Sequence, residues 1–471
     1  MRQRVKAFLD GSVTVRAARA VQNALGRFLA SSALGAWFGR ERSGARRIDR
    51  VAERFFNSRF CDFIRSSALL GLLMKIPDIA FWMLWITAAG AMCFPTVLVM
   101  LCALATAALT LTALIFRKER LPMITDGMIF WALWAGVVLL YTFIGYGGSS
   151  GVLSGGIRFV MMPMLPCAYI LLSRPGRMER GMKILTGLSF AVGAYGLYQY
   201  LFGSLSTQWT DTTLFSEQLG RLTATFENPN IYGEFLVLMF PVAITVACCA
   251  KRRAEKIFYF AGSALLLGNL FLTYSRGCYI ALVIAVLIML WRTDRRLLWI
   301  GVALLLICPL FLPENVLARV QSIGNLDDTS TAYRVNIWKG CLAMLSKYWW
   351  IGIGIGDAAF RKIYEPYALT LAEDAPHAHN LYLQTMCESG VIGLLILLLV
   401  LIFLFRTVHT QIKSARHGIP RRLSIALCAA WIGLLAQGLT DFIFYNNNLF
   451  CIMMITLGAM SARIGEERQD V

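Results

Sequence analysis

Long apolar blocks, each near twenty residues and almost free of charge, recur along this chain from residue 79 onward. A block of that length covers the ~30 Å hydrocarbon core of a bilayer when it is helical. Backbone amides find no water inside lipid, so a spanning block must satisfy them within itself. Twelve such blocks are placed at 79–95, 97–116, 128–146, 155–172, 184–202, 231–250, 257–273, 279–291, 297–312, 391–405, 423–440 and 448–462. Charge agrees: 15% of residues are charged, against ~25% in an ordinary soluble domain. The expected fold is therefore an all-α polytopic membrane protein with about 12 transmembrane helices.

The net charge of +18 invites a nucleic-acid reading. Its distribution argues against that. With the N-terminus in the cytoplasm and the spans alternating, 36 of the 45 Lys/Arg fall on the cytoplasmic side together with 14 of the 27 Asp/Glu. The other side holds nine Lys/Arg and 13 Asp/Glu, and six of those nine basic residues share one long loop. This is the positive-inside asymmetry of a membrane protein, and the basic face suits anionic lipid. The expected location is the cytoplasmic membrane, multi-pass, with both termini inside and membrane lipids rather than nucleic acid as partners. No cleavable signal peptide is evident, so the first span is expected to direct insertion.

Four regions follow. Residues 1–77 form a basic cytoplasmic or interfacial extension, with 15 Lys/Arg before residue 77. Val15, Val21, Leu25, Phe28 and Leu29 recur there at helical spacing, as in a surface-lying amphipathic helix. A solvated basic tail accounts for the same residues. Residues 78–312 carry helices 1–9, 313–390 a long extracytoplasmic loop, and 391–471 helices 10–12 with a cytoplasmic tail. Loops of that length usually have a function. Within this one, 333–345 and 376–389 read as helical, with G-I-G-I-G between them. Nine spans before the loop and three after it differ from the repeated halves of many transporters.

Ionisable residues at or near membrane depth draw attention first. Arg158 opens R-F-V-M-M-P-M-L, Arg221 opens R-L-T-A-T-F-E-N-P-N, Arg276 sits in T-Y-S-R-G, and Arg334 lies in Y-R-V-N-I-W. All four fall on or near the outer face, whose five other Lys/Arg lie in the long loop. A guanidinium is a planar fork of donors that suits phosphate oxygens; snorkelling explains any one of them taken singly. His377 and His379, in H-A-H-N-L-Y-L-Q, are the histidines outside the cytoplasm, whereas His409 and His417 lie in a basic cytoplasmic loop. Imidazole suits a general base at neutral pH. Zinc would need a third ligand at suitable spacing, and none is apparent. On a helix, His377 and His379 would stand ~200° apart, and Glu388 would face away from His379. Asn228 and Asn230 enter a span, Asn380 follows His379, and D-F-I-F-Y-N-N-N at 441–448 joins the last two spans. Such Asn side chains cap helices or touch sugar. The twelve cysteines include no CxxC, and Cys341 and Cys387 share the long loop and could pair.

Taken in order, R-L-T-A-T-F-E-N-P-N before a span, T-Y-S-R-G, Y-R-V-N-I-W, G-I-G-I-G and H-A-H-N-L-Y-L-Q resemble the bacterial O-antigen ligase/polymerase family over roughly residues 78–462. The family's usual Gly before Thr-Phe is Ala224 here, and Glu234 stands where small or apolar residues are commoner. The resemblance implies a GT-C-like glycosyltransferase with its catalytic loop between helices 9 and 10. It implies an undecaprenyl-diphosphate-linked glycan as donor and a glycan, lipid-linked or protein-linked hydroxyl as acceptor, with inversion and with neither metal nor cofactor. Arg221 and Arg276 would stabilise the diphosphate, His379 would activate the acceptor, and Arg158, Arg334, His377, Asn380, Asn228 and Asn230 would bind substrate. The alternative of another class is a lipid-linked glycan flippase or transporter.

Overall fold

The computed structural model describes residues 75–115, 125–203, 205, 220–311, 313–323, 328–415 and 418–463, and helices are its long elements. The amphipathic reading of the first 74 residues lies outside them. The described residues within 76–113 and 125–463 form one compact unit.

The first helices are α1 (Ile76–Cys93), α2 (Thr96–Ile115), α3 (Asp126–Ile144), α4 (Gly148–Met161), α5 (Met164–Leu172) and α6 (Arg177–Phe202). Then come α7 (Pro229–Cys249), α8 (Arg253–Leu272), α9 (Arg276–Thr293) and α10 (Arg295–Ile307). The long segment holds α11 (Glu314–Gln321), α12 (Thr329–Tyr348) and α13 (Asp357–Tyr364), before α14 (Leu381–Ser414), α15 (Ile419–Gln437) and α16 (Asn447–Ser461). Among the described residues, nine helical stretches are long and apolar enough to cross a bilayer. The three other expected spans are helical but fall short of that standard. Helix α10 has 13 residues and α16 has 15, while Gly, Tyr and Gln dilute the apolar character of α6.

Two local expectations change. The Gly/Ser stretch left between the blocks 128–146 and 155–172 is helical, since α4 begins at Gly148, and the block ending at Leu172 is broken at Met162–Pro163. Proline lacks the N–H that a continuous helix needs. The segment from 376 is not helical at its start, because Asn380 caps α14 by accepting from the N–H groups of Tyr382 and Leu383, both at 2.9 Å. Helix α14 then runs through to Ser414 with a break at Ser389 and Gly390. Gly390 takes φ +63° there, and a Cβ would fall 2.1 Å from the Trp350 carbonyl oxygen.

In the bundle, α9 packs on α15, α3 on α14, α5 on α16, and α7 between α8 and α15. Small residues let the backbones approach, as is usual for helices in lipid; a Cβ on Gly433 would lie 2.4 Å from the Ala281 oxygen. The long segment has its own apolar core around Ile337, Cys341, Met344, Phe360, Tyr364 and Cys387. Cys341 and Cys387 meet there as free, buried thiols. G-I-G-I-G stitches this core to the bundle. Ile353 and Gly354 donate to the carbonyls of Cys387 and Glu388 at 2.8 and 2.9 Å, and Tyr146 donates to Ile353 at 2.9 Å. Gly354, at φ +96°, sits so close to Gly145 that a Cβ would come within 2.3 Å of it.

Candidate active site

Four arginines converge on one cavity. Arg221, Arg276, Arg319 and Arg334 line a space of about 250 Å³ with Asn230, Ser275, Ser330, Thr331, Trp338, Gln437 and Thr440. Each is placed by backbone geometry. Leu222 donates to the Leu272 carbonyl at 3.0 Å, tying this strand-like stretch to the end of α8. Arg221 then donates through Nε to the Thr273 carbonyl at 2.8 Å and through a terminal nitrogen to Asn230 Oδ1 at 2.9 Å. Arg276, the first residue of α9, donates to Ser322 and to Asp328 Oδ1 at 2.7 Å. Asp328 caps α12 through the Thr331 N–H at 3.0 Å, and Arg319 stands 3.7 Å from its other oxygen. Arg334, one turn into α12, donates to the Thr440 carbonyl at 2.9 Å and to Ser330.

Among the described residues, Asp328 and Asp441 are carboxylates in ion-pair contact with these guanidinium groups. Burial first, and then the cations Arg319 and Arg334, push the Arg221 guanidinium down to about 9, so it remains charged at neutral pH. Burial opposes ionisation of Asp328, yet Arg276 outweighs it and holds the carboxyl below its usual value. Such a site gains most from an anion rich in acceptor oxygens.

At the rim of this cavity stands an imidazole–carboxylate pair. His379 Nδ1 lies 3.0 Å from Asp441 Oδ1, and Arg334 lies 3.7 Å from the other Asp441 oxygen. Asp441 follows the turn at the end of α15. Burial would raise its carboxyl, but the two histidines and Arg334 outweigh that and hold it well below the carboxylate range. An ionised Asp441 accepting from Nδ1–H leaves Nε2 with the lone pair, the form a general base requires. His377 is packed 4.1 Å from the His379 ring and 4.4 Å from Tyr445, centroid to centroid. The helical expectation that set the two histidines apart is corrected: His379 has φ +44°, and its N–H donates to His377 Nδ1 at 3.1 Å. Burial, and then the neighbouring His379, push His377 well below its ordinary value, which keeps it neutral.

Asp441 also supplies a third metal-capable group beside the histidines. One ligand atom from each of His377, His379 and Asp441 lies within 4.8 Å of the others. Both Nδ1 atoms are already engaged, and the Arg334 cation stands on Asp441.

Arg158 is not part of this assembly. It forms a 2.7 Å ion pair with Glu388, is 7% exposed, and lies over the Phe442 ring. Glu388 also accepts from Gln384 at 3.0 Å. Asn228 and Asn380 are engaged as helix caps, Asn380 donating in addition to the Leu439 carbonyl at 2.8 Å. Left-handed non-glycine residues gather in the same motifs: Ala224 (φ +46°), Glu227 (+60°), Tyr274 (+51°) and His379 (+44°). Backbone strain of this kind concentrates at functional sites.

Arg319 and Asp441 are site residues that sequence reasoning missed. Asp441 had a legible signal, a lone carboxylate at the outer end of a span in a motif noted for its asparagines. Residues 261–398 match a family model described as O-antigen ligase. No curated protein matches the chain. The matched stretch contains Arg276, Arg319, Arg334, His377 and His379, but neither Arg221 nor Asp441, and it supports the O-antigen ligase/polymerase family for this chain.

Proposed function

We propose that this multi-pass protein of the O-antigen ligase/polymerase family transfers a glycan from undecaprenyl diphosphate to an acceptor hydroxyl at the outer face of the cytoplasmic membrane. One observation carries the reading: a four-arginine cavity shares Arg334 with a His379–Asp441 pair. The diphosphate of the donor sits among Arg221, Arg276, Arg319 and Arg334. His379 Nε2 takes the proton of the acceptor hydroxyl as its oxygen attacks the anomeric carbon. The bond from that carbon to the phosphate oxygen breaks with inversion, and the lipid diphosphate leaves with the bonding electrons. The arginines stabilise the charge that grows on it. Asp441 holds the imidazole and balances the imidazolium, as the carboxylate of a hydrolase triad does. The residues themselves supply acid–base and electrostatic help, so the reaction is proposed to need no metal.

The test is transfer by the purified full-length protein from a defined lipid-diphosphate-linked oligosaccharide to candidate acceptors. Product with inverted anomeric configuration, undiminished by EDTA, is the expected result. Loss on chelation that zinc restores would return the His377, His379 and Asp441 group to a metal role. Accessibility tags in 313–390 are expected to report from outside and tags after Arg253 from inside. The reverse orientation would put the cavity on the wrong side of the membrane for this donor.

A further inference from the structure

The residue between the two histidines is held from both sides. The Ala378 N–H donates to Gln384 Oε1 at 2.8 Å, and the Ala378 carbonyl accepts from Trp338 Nε1 at 3.0 Å. Trp338 stands on α12 and lines the arginine cavity. Gln384 stands one turn into α14 and is 1% exposed. The backbone between these contacts needs such support, since His379 takes φ +44°, a left-handed conformation that a side chain disfavours.

Gln384 is itself held. Glu388 lies four residues further along the same face of α14, and its Oε1 accepts from Gln384 Nε2 at 3.0 Å. Its Oε2 accepts from Arg158 at 2.7 Å, and its carbonyl accepts from Gly354 at 2.9 Å. These partners leave the Gln384 amide one orientation. A backbone N–H only donates, and a carboxylate paired with an arginine only accepts, so the amide oxygen faces Ala378 and the nitrogen faces Glu388. Hydrogen bonds thus run without a gap from Arg158 through Glu388 and Gln384 to Ala378, the residue before His379. His379 in turn meets Asp441 at 3.0 Å. Removing the Gln384 amide strands the buried Ala378 N–H and frees this strained turn to shift. A displacement near 1 Å at a reacting group costs up to about a hundredfold in rate.

We infer that Gln384 is a positioning residue for catalysis: it fixes the Ala378 peptide and therefore the placement of the His379 imidazole, while the Arg158–Glu388 pair fixes Gln384. The inference rests on the proposed role of His379 as base. The requirement is a matched pattern of donors and acceptors. Methionine at 384, of similar length, has no amide to offer. E388Q breaks the pattern, because an amide has one oxygen to set against two donors, Arg158 and Gln384. Exchanging the two side chains restores it. In Q384E/E388Q the new carboxylate accepts from Ala378 and from the amide at position 388, whose oxygen still accepts from Arg158.

The experiment uses full-length reconstituted protein and a defined lipid-diphosphate oligosaccharide donor, with donor affinity and kcat per folded molecule measured separately. Q384M is expected to lower kcat about tenfold to a hundredfold and to leave donor Kd unchanged, since the arginines are untouched. E388Q should lower kcat about tenfold. The exchange Q384E/E388Q should bring kcat back to within about threefold of the original, a non-additive recovery that marks direct contact. A purely structural role would reduce the amount of folded protein and leave its kcat alone. An original kcat in Q384M, an exchange no better than E388Q, or equal falls in kcat and donor affinity would each overturn the assignment. Should Q384M or the exchange fail to accumulate in membranes, E388Q decides: a lowered kcat with donor Kd kept supports the assignment, and an unchanged kcat overturns it. These outcomes are separate from failure of the proposed function, which an active H379A would show.

Discussion

Arg276 and Arg158 each hold a carboxylate at 2.7 Å, yet the two surroundings have little else in common. Arg158 is matched one to one by Glu388, roofed by Phe442 and packed beside aliphatic and aromatic side chains of α3. Arg276 shares Asp328 with Arg319, lines a cavity of about 250 Å³, and has Arg221 and Arg334 across it. A buried ion pair with no surplus charge serves the fold. A cluster of guanidinium groups lining open space is set up to receive an anion. An ion pair alone therefore says little about function; the clustering of guanidinium groups and the room around them distinguish the two cases.

The largest effect should come from the base beside the cluster. H379A is expected to lower kcat by ~10²–10⁴ with donor affinity kept, because the arginines remain. A kcat near the original would remove His379 from the chemistry. H377A should cost less, since its Nδ1 serves the His379 backbone.

The arginine contrast comes next. R276A and R221A should each lower transfer by about 10²–10³ with little change in melting temperature, and lysine should restore only part, lacking the fork. R158A should do the opposite, lowering thermal stability by about 3–5 kcal/mol by stranding Glu388 while leaving donor affinity in the surviving protein intact. The paired change R158M with E388M should recover most of that stability. Donor affinity that falls in R158A as far as in R276A would break the contrast.

A smaller effect concerns acid. Asp328 has a folded pKa below its unfolded value of ~3.9, so its contribution is complete above ~3.9 and is lost as pH falls from there through the lower folded value. Melting temperatures across that window should decline less steeply in D328N. Identical slopes would remove Asp328 from the acid response.

The smallest concerns Ala224, held at φ +46° where a side chain costs ~1–2 kcal/mol. A224G relieves that strain but frees the unfolded chain by ~0.5–1 kcal/mol. The expected gain is below about 1 kcal/mol, visible as a slight rise in melting temperature without change in kcat.

Much of the molecule is legible in its sequence. Apolar block length decides helix against strand in lipid, because the backbone must bond within the block. Each of the twelve blocks is occupied by helix, although three do not meet the length or apolarity of a span. The arginines of T-Y-S-R-G and R-L-T-A-T-F and the His-Asn pair stood out as polar groups at the ends of apolar runs. Their convergence did not. Arg221 and Arg334 are 113 positions apart, and whether a residue joins a cavity depends on helix packing and on turns such as 437–441, which are long-range properties. For the same reason Arg158, chemically equal to the others by its motif, is claimed by Glu388, 230 residues away. Local rules also misled at His377 and His379, because the cap at Asn380 starts the helix only after them.

Residue types and the order of apolar and polar segments thus determined by themselves that this chain is a helical membrane protein with arginines and histidines at the ends of its spans. That follows from solvation, which acts on each segment separately. Only the tertiary structure decided which arginines share a cavity, which one is neutralised, and that Asp441 stands behind the base. Those outcomes rest on close approach between residues far apart in the chain, where Coulomb and hydrogen-bond energies change steeply over one or two ångströms.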